Sequence, residues 1–311
     1  MNETAFFGSH HSELIQPAFY NWSSTIDPHI YTSQDRFKLV VVSLHDRDLS
    51  QIELFQESNK TVWEIYSAAF RTDQIIENPF LKRHPTYPFI RYLYDKNIFW
   101  KFILNLVFKP GPKIQNLIET IEKENEIASK TFKIGIHLRL GDERLGRKRS
   151  EDFQWTPPHW VTRYPTGQSI PCFVERAIEF WSNVTQDQKK SKLYDKPVFF
   201  IMSDNRTICN ITTSLLKEKG YHAFDADKYA KNITHVYIAK DSDHTRSFLD
   251  FFFFSTMYSS VITFSGFSMG PTKFKCSPTL MYFKEDENTK RCMNFFDYTA
   301  TGLCHSDWIN N

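Results

Sequence analysis

At 311 residues, with 38 Lys and Arg against 36 Asp and Glu, the chain has a formal charge of +2. That near-balance excludes a function built on bulk electrostatics, such as nucleic-acid packaging. The length allows one large or two medium domains, and 16 % aromatic residues with 29 Phe against 10 Gly suit a densely packed interior.

In chain order, Phe37–Leu44 (FKLVVVSL) reads as a buried strand, and Val62–Phe70 and Ile98–Phe108 read as helices. Pro79, Pro85 and Pro88 punctuate the space between the two helices. Pro110-Gly111-Pro112 resets the chain, and Ile114, Leu117, Ile118, Ile121 and Ala128 then trace one apolar stripe to about Lys130. From residue 131 the pattern is regular. Strand 132–138 precedes a long polar loop, 141–169. Ser169 and Pro171 open a helix through Trp181. Strand 197–202 leads into Ser203-Asp204-Asn205, which caps a helix ending near Gly220. Strands at 221–224 and near Val236–Ala239 follow, then helix 243–258, strand 260–264, and Ser265-Gly266-Phe267-Ser268 opening a last helix. Alternating strands and helices imply a parallel sheet with helices on both faces. The domains expected are 1–130 and 131–311.

Seven Asn-x-Ser/Thr acceptors occur, at Asn2, Asn21, Asn59, Asn183, Asn205, Asn210 and Asn232, where about two would arise by chance. The excess favours the secretory pathway. Of five cysteines, Cys276, Cys292 and Cys304 fall in the last 36 residues, where a disulfide would staple a loop-rich tail. The first 30 residues contain no signal-peptide core. Lumenal placement therefore implies an anchor N-terminal to Met1. The apolar stretch Phe248–Phe264 is broken by Asp250 and several Ser and Thr, so it reads as a helix and strand rather than a membrane span.

Three strand-end loops carry the chemistry. The first, Ile134-Gly135-Ile136-His137-Leu138-Arg139-Leu140-Gly141-Asp142, offers His137 and Arg139 two residues apart on one strand face. Arg supplies a fixed charge and a donor fork suited to phosphate. The second is Ser203-Asp204-Asn205. The third, Ser265-Gly266-Phe267-Ser268, starts a helix, where free N–H groups favour an anion. Each is also an ordinary surface pair, cap or turn; the functional reading comes from their occurrence in order, each after a buried strand. In a parallel sheet such loops gather at one edge.

These loops resemble the three peptide motifs of the GDP-fucose-dependent glycosyltransferases, a superfamily that includes the Nod-factor, α1,6-, α1,2- and protein O-fucosyltransferases. Ile134–Arg139 is similar to the first motif, and the following Gly-Asp matches several members. The lead-in Leu106-Val107-Phe108-Lys109-Pro110 and the tail with Cys292 and Cys304-His305 resemble the plant xyloglucan-type enzymes. The similarity covers roughly residues 100–311. It implies an α/β, GT-B-like enzyme of two Rossmann-like domains facing a cleft, the N-terminal one incomplete. Donor binding falls to the C-terminal domain. By resemblance Arg139 grips the diphosphate and neutralises the leaving group, His137 and Asp204 contact the nucleotide sugar, and Ser265 and Ser268 offer hydroxyls and N–H groups to the phosphates. The implied partners are GDP-fucose and a glycan or glycoprotein acceptor in the Golgi lumen, with inversion at the sugar and no metal or other cofactor.

Two features depart from the family pattern: no Gly-rich turn is found near the N-terminus, where Gly8-Ser9-His10-His11 is a poor substitute, and Leu140 stands where many members have a second Arg. The candidate base is Glu143, beside Asp142, with Glu151 and Asp152 farther along the loop. Three Asp-x-Asp strings (Asp46/Asp48, Asp225/Asp227, Asp241/Asp243) would suit a metal-dependent transferase, Asp225-Ala-Asp227 best. The basic run Arg144, Arg147, Lys148 and Arg149 is read as a loop bordering donor or acceptor, not as a nucleic-acid site. The rival readings are a GT-B transferase for another nucleotide sugar and a degenerate carbohydrate-binding relative.

Overall fold

A computed structural model describes residues 15–17, 40–43, 63–66, 76–77, 79–83, 85–96, 98–139, 170–187, 190–230, 244–263, 265–282 and 295–297. The chain divides into two compact units, one of residues 1–12 and 16–109, the other of 13–15 and 110–311. This division groups the helix after Pro112 with the second unit, whereas the sequence pattern ends the first domain at residue 130.

In the first part of the chain lie strands β1 (Ile15–Pro17), β2 (Val40–Ser43) and β3 (Trp63–Tyr66) and helices α1 (Pro79–Arg83), α2 (Tyr87–Asp95) and α3 (Phe99–Val107). β2 and β3 pair in parallel, Val40 opposite Trp63. Where the sequence suggests a helix over Val62–Phe70, the structure forms a strand at Trp63–Tyr66 instead. A short apolar run has no period that separates helix from strand, and its aromatic and β-branched residues suit a pleated pair.

The second unit is built on one sheet. After β4 (Phe108–Pro110), Gly111 and Pro112 start α4 (Pro112–Glu124), which buries Ile114, Ile118 and Ile121 at helical spacing. Next come β5 (Thr131–Leu138), α5 (Ile170–Gln186), β6 (Lys196–Ser203), α6 (Arg206–Glu218) and β7 (Ala223–Phe224). The series closes with α7 (Thr245–Phe254), β8 (Ser259–Thr263), α8 (Gly266–Lys275), β9 (Thr279–Tyr282) and β10 (Phe295–Asp297). The strand expected near Val236–Ala239 lies outside the described residues.

The strand order is β10-β9-β8-β5-β6-β7, five parallel strands with β10 antiparallel at one edge. The chain winds outward from β5 to β7, then returns to the other side of β5 for β8 and β9. Between β5 and β8 the direction of winding reverses. Successive residues of β5 serve opposite faces. Ile134, Ile136 and Leu138 join Phe173, Val174 and Ala177 of α5, with Ile208 and Leu216 of α6, in one core layer. On the opposite face Phe200 meets Phe253 with ring centroids 4.8 Å apart, and Phe254 closes over Gly135. His137 shares that second face with Gly135. No helix among the described residues is long and apolar enough to cross a membrane.

Gly135 is required by close approach. A Cβ there would sit 2.6 Å from Phe254 Cε2 and 2.7 Å from Cζ. Gly135→Ala is expected to lower unfolding stability by about 1–3 kcal/mol, read from the urea midpoint, because the Phe254 ring must shift within a close-packed core.

Candidate functional site

The register levels the strand ends that carry the motifs. Leu138 pairs with Ser203 across β5–β6, and His137 pairs with Ile262 across β5–β8. Arg139, Asp204 and the turn after Thr263 therefore leave the sheet at one height, on its carboxyl edge. The winding reversal between β5 and β8 sends α5 and α8 to opposite faces, which opens a crevice at that edge.

At the crevice the first and third loops are joined by Thr263. Its Oγ1 accepts the Arg139 backbone N–H at 3.0 Å and lies 3.4 Å from the His137 carbonyl oxygen and 3.5 Å from His137 Nδ1. His137 is 4 % exposed. Burial, and secondarily the Arg139 charge, pull its pKa from the ordinary 6.5 to about 3, so the ring is neutral near pH 7. Its ring centroid lies 6.4 Å from that of Phe267.

Ser265 caps α8, its side chain accepting the Phe267 N–H at 3.3 Å. The Ser268 hydroxyl is fully buried and shares its proton between Thr263 O at 3.2 Å and Ser265 O at 3.1 Å. In this arrangement Ser268 fastens the turn, the Phe267, Ser268 and Met269 N–H groups bond to Ser265, and the start of α8 presents its dipole at the sheet edge. The second loop divides its duties. Asn205, not Asp204, caps α6 by accepting the Thr207 N–H at 2.9 Å, while Ser203 Oγ accepts the Asn205 N–H at 3.1 Å. Asp204 is thereby held next to the β6 end without serving as the cap. Glu143 and the remainder of the 140–169 loop lie outside the described residues, as do the Asp46/Asp48 and Asp241/Asp243 strings.

Asp225 and Asp227 are committed elsewhere. Asp225 Oδ1 accepts the Asp227 N–H at 2.7 Å, and Asp227 pairs with Arg206 and Arg246. Arg246, 1 % exposed, also donates Nε–H to both oxygens of Asp250 at 2.9 and 2.8 Å and an Nη1–H to Ala230 O at 3.1 Å. Burial pushes the Asp250 carboxyl up to about 6 against the opposing pull of Arg246. Among the described residues no group of three or more His, Cys, Asp or Glu could hold a metal. Sequence reasoning missed this network and Thr263. The signal for the network was present, since an Arg and an Asp four apart inside a Phe-rich helix are buried only as a pair. Cys209 is the free, buried thiol among the described cysteines, its pKa raised first by burial; Cys172 and Cys276 are not free thiols, and no disulfide joins two described residues.

No protein-family model and no curated protein sequence matches the chain. In structure the chain is similar to a mutant of Arabidopsis thaliana FUT1 in complex with GDP, at TM-score 0.51 and 13 % identity, over 88 % of this chain and 55 % of that one. The fold resembles that of the GDP-fucose fucosyltransferases. The chain spans about half the length of the FUT1 chain. Weaker similarities are to POFUT1 in complex with GDP, at TM-score 0.39 and 13 % identity over 83 % of this chain and 77 % of that one, and to NodZ α1,6-fucosyltransferase soaked with GDP-fucose, at 0.32 and 12 % over 56 % and 46 %.

The buried charges at and beside the site set how stability responds to substitution and to pH. Asp250→Asn removes a carboxylate from a buried guanidinium and should destabilise the protein by about 3 kcal/mol in chemical denaturation. His137 gives a pH dependence of definite sign. The unfolded chain takes up a proton near 6.5 and the folded chain only near 3, so stability falls as pH falls through this interval, by about 1.4 kcal/mol per unit. Between pH 6 and 5 the slope of stability against pH should become shallower in His137→Gln than in the wild type.

Proposed function

We propose that the chain is a fucosyltransferase that transfers fucose from GDP-fucose to a glycan or glycoprotein hydroxyl with inversion and without a metal. The observation that carries this reading is that the ends of β5 and β8 bring His137, the Arg139 backbone and the start of α8 to one sheet edge. A diphosphate fits that chemistry: one fixed guanidinium charge, the dipole of a helix N-terminus and a neutral imidazole favour oxyanions. The fold similarity to a fucosyltransferase in complex with GDP supports the same ligand class.

In this mechanism Arg139 stabilises charge on the departing GDP, and the gain is largest in the transition state, when the glycosidic bond breaks. His137 hydrogen-bonds the donor, Asp204 contacts the nucleotide, and Ser265 caps α8 so that its N-terminal dipole faces phosphate. Glu143 takes the acceptor proton from the face opposite the diphosphate. The seven sequons favour glycosylation in the secretory pathway and a Golgi site of action, with a disulfide among Cys276, Cys292 and Cys304 in the tail.

GDP release from GDP-fucose in the presence of glycan acceptors tests the proposal. Arg139→Ala is expected to lower kcat/KM at least about 100-fold, the scale of losing one preorganised oxyanion donor. Turnover that persists largely intact in Arg139→Ala would remove Arg139 from the leaving-group role. Release from a UDP-sugar in preference to GDP-fucose would reassign the donor.

A further inference from the structure

We infer that Thr263 is the positioning residue of this site, its single hydroxyl holding the Arg139 backbone at the strand end and orienting the His137 ring. The inference rests on the reading of Arg139 and His137 as donor-binding groups, and adds to it the part that keeps them in register.

Thr263 is the last residue of β8, 3 % exposed, and stands across the winding reversal from both groups. A threonine hydroxyl has one proton and two lone pairs. One lone pair takes the Arg139 N–H at 3.0 Å. The remaining capacity faces His137, whose carbonyl oxygen at 3.4 Å and Nδ1 at 3.5 Å lie on the same side. An aliphatic residue of the same shape would leave the Arg139 N–H without its partner, and would withdraw the polar neighbour of Nδ1 that biases which imidazole nitrogen carries the proton. The Thr263 carbonyl is used as well, accepting from Ser268 Oγ at 3.2 Å. One residue therefore touches the end of the first motif through its side chain and the turn of the third through its backbone. Arg139 begins its side chain at the anchored N–H, so a shift there moves the guanidinium relative to the α8 start. Displacements of this kind are what binding geometry tolerates least.

Thr263→Val and Thr263→Ser separate hydroxyl from shape, and Thr263→Ala supplies a hydroxyl-free partner for Ser should the Val protein not fold. Two measurements need no nucleotide: the imidazole 15N shifts of His137 and hydrogen exchange of the Arg139 amide. In Val or Ala the His137 shifts are expected to move and Arg139 exchange to accelerate at least about tenfold, while Ser stays near the wild type. Affinity for GDP is expected to fall about tenfold in Val and Ala and to return to within about twofold in Ser, with a global denaturation midpoint that does not track this order. His137 shifts unchanged in the hydroxyl-free variants, or a Ser protein as impaired as Ala, would overturn the inference. Wild-type protein that binds no GDP would refute the proposed function, and the two nucleotide-free measurements would still decide whether Thr263 holds Arg139 and His137.

Discussion

The reversal of winding between β5 and β8 is the constraint on which the rest of the site depends. A parallel sheet wound in one direction sends every connecting helix to one face and leaves its carboxyl edge closed. Here β5 is central, α5 and α6 cover one face, and α7 and α8 cover the other. The loops after β5 and β8 must part, and the gap between them is where backbone N–H groups and side chains can converge on a ligand. Gly135 belongs to the same constraint. Its missing side chain admits the Phe254 ring against the central strand, so α7 can close onto the face that also holds His137.

Electrostatics at the edge separate into two regions of different character. Around Arg139 and the α8 start the field is positive, from the guanidinium and the helix dipole, and burial holds His137 neutral. Beyond β6, toward β7, charge is paired within the protein: Arg246 spans Asp227 and Asp250, and Arg206 joins from the start of α6. The second region explains why the Asp-x-Asp string at Asp225 is a poor metal candidate. One of its carboxylates accepts a backbone N–H and the other is a counter-ion to two arginines. Such a network is costly to desolvate and costly to break, which suits a structural brace under the carboxyl edge of the sheet better than a reactive centre.

Much of the second unit was legible because its strands are long apolar runs ending in small polar residues, and its helices begin at recognisable caps. β5, β6 and β8 were placed within a residue, and Asn205 and Ser265 cap where the pattern of Ser, Asp and Asn had put helix starts. What failed had physical causes. Val62–Phe70 has no decisive period, and pairing with β2 made part of it a strand. α4 and α7 end earlier than their apolar stripes because Asn125 and Ser255 terminate the hydrogen-bond ladder while apolar residues continue beyond. Thr263 looked like one more β-branched strand residue, since spacing along the chain does not reveal a partner 124 residues away. The resemblance in the motifs agrees with the similarity in fold to a fucosyltransferase structure at 13 % identity.

Under the proposed function, the crevice between β5 and β8 binds a guanosine diphosphate through Arg139. Calorimetric titration of the protein with GDP, and in parallel with UDP and inorganic phosphate, tests it most directly. GDP binding is expected to weaken sharply in Arg139→Ala and not to be matched by UDP or phosphate at the same concentration. No heat of binding with GDP, or equal binding by wild type and Arg139→Ala, would contradict it.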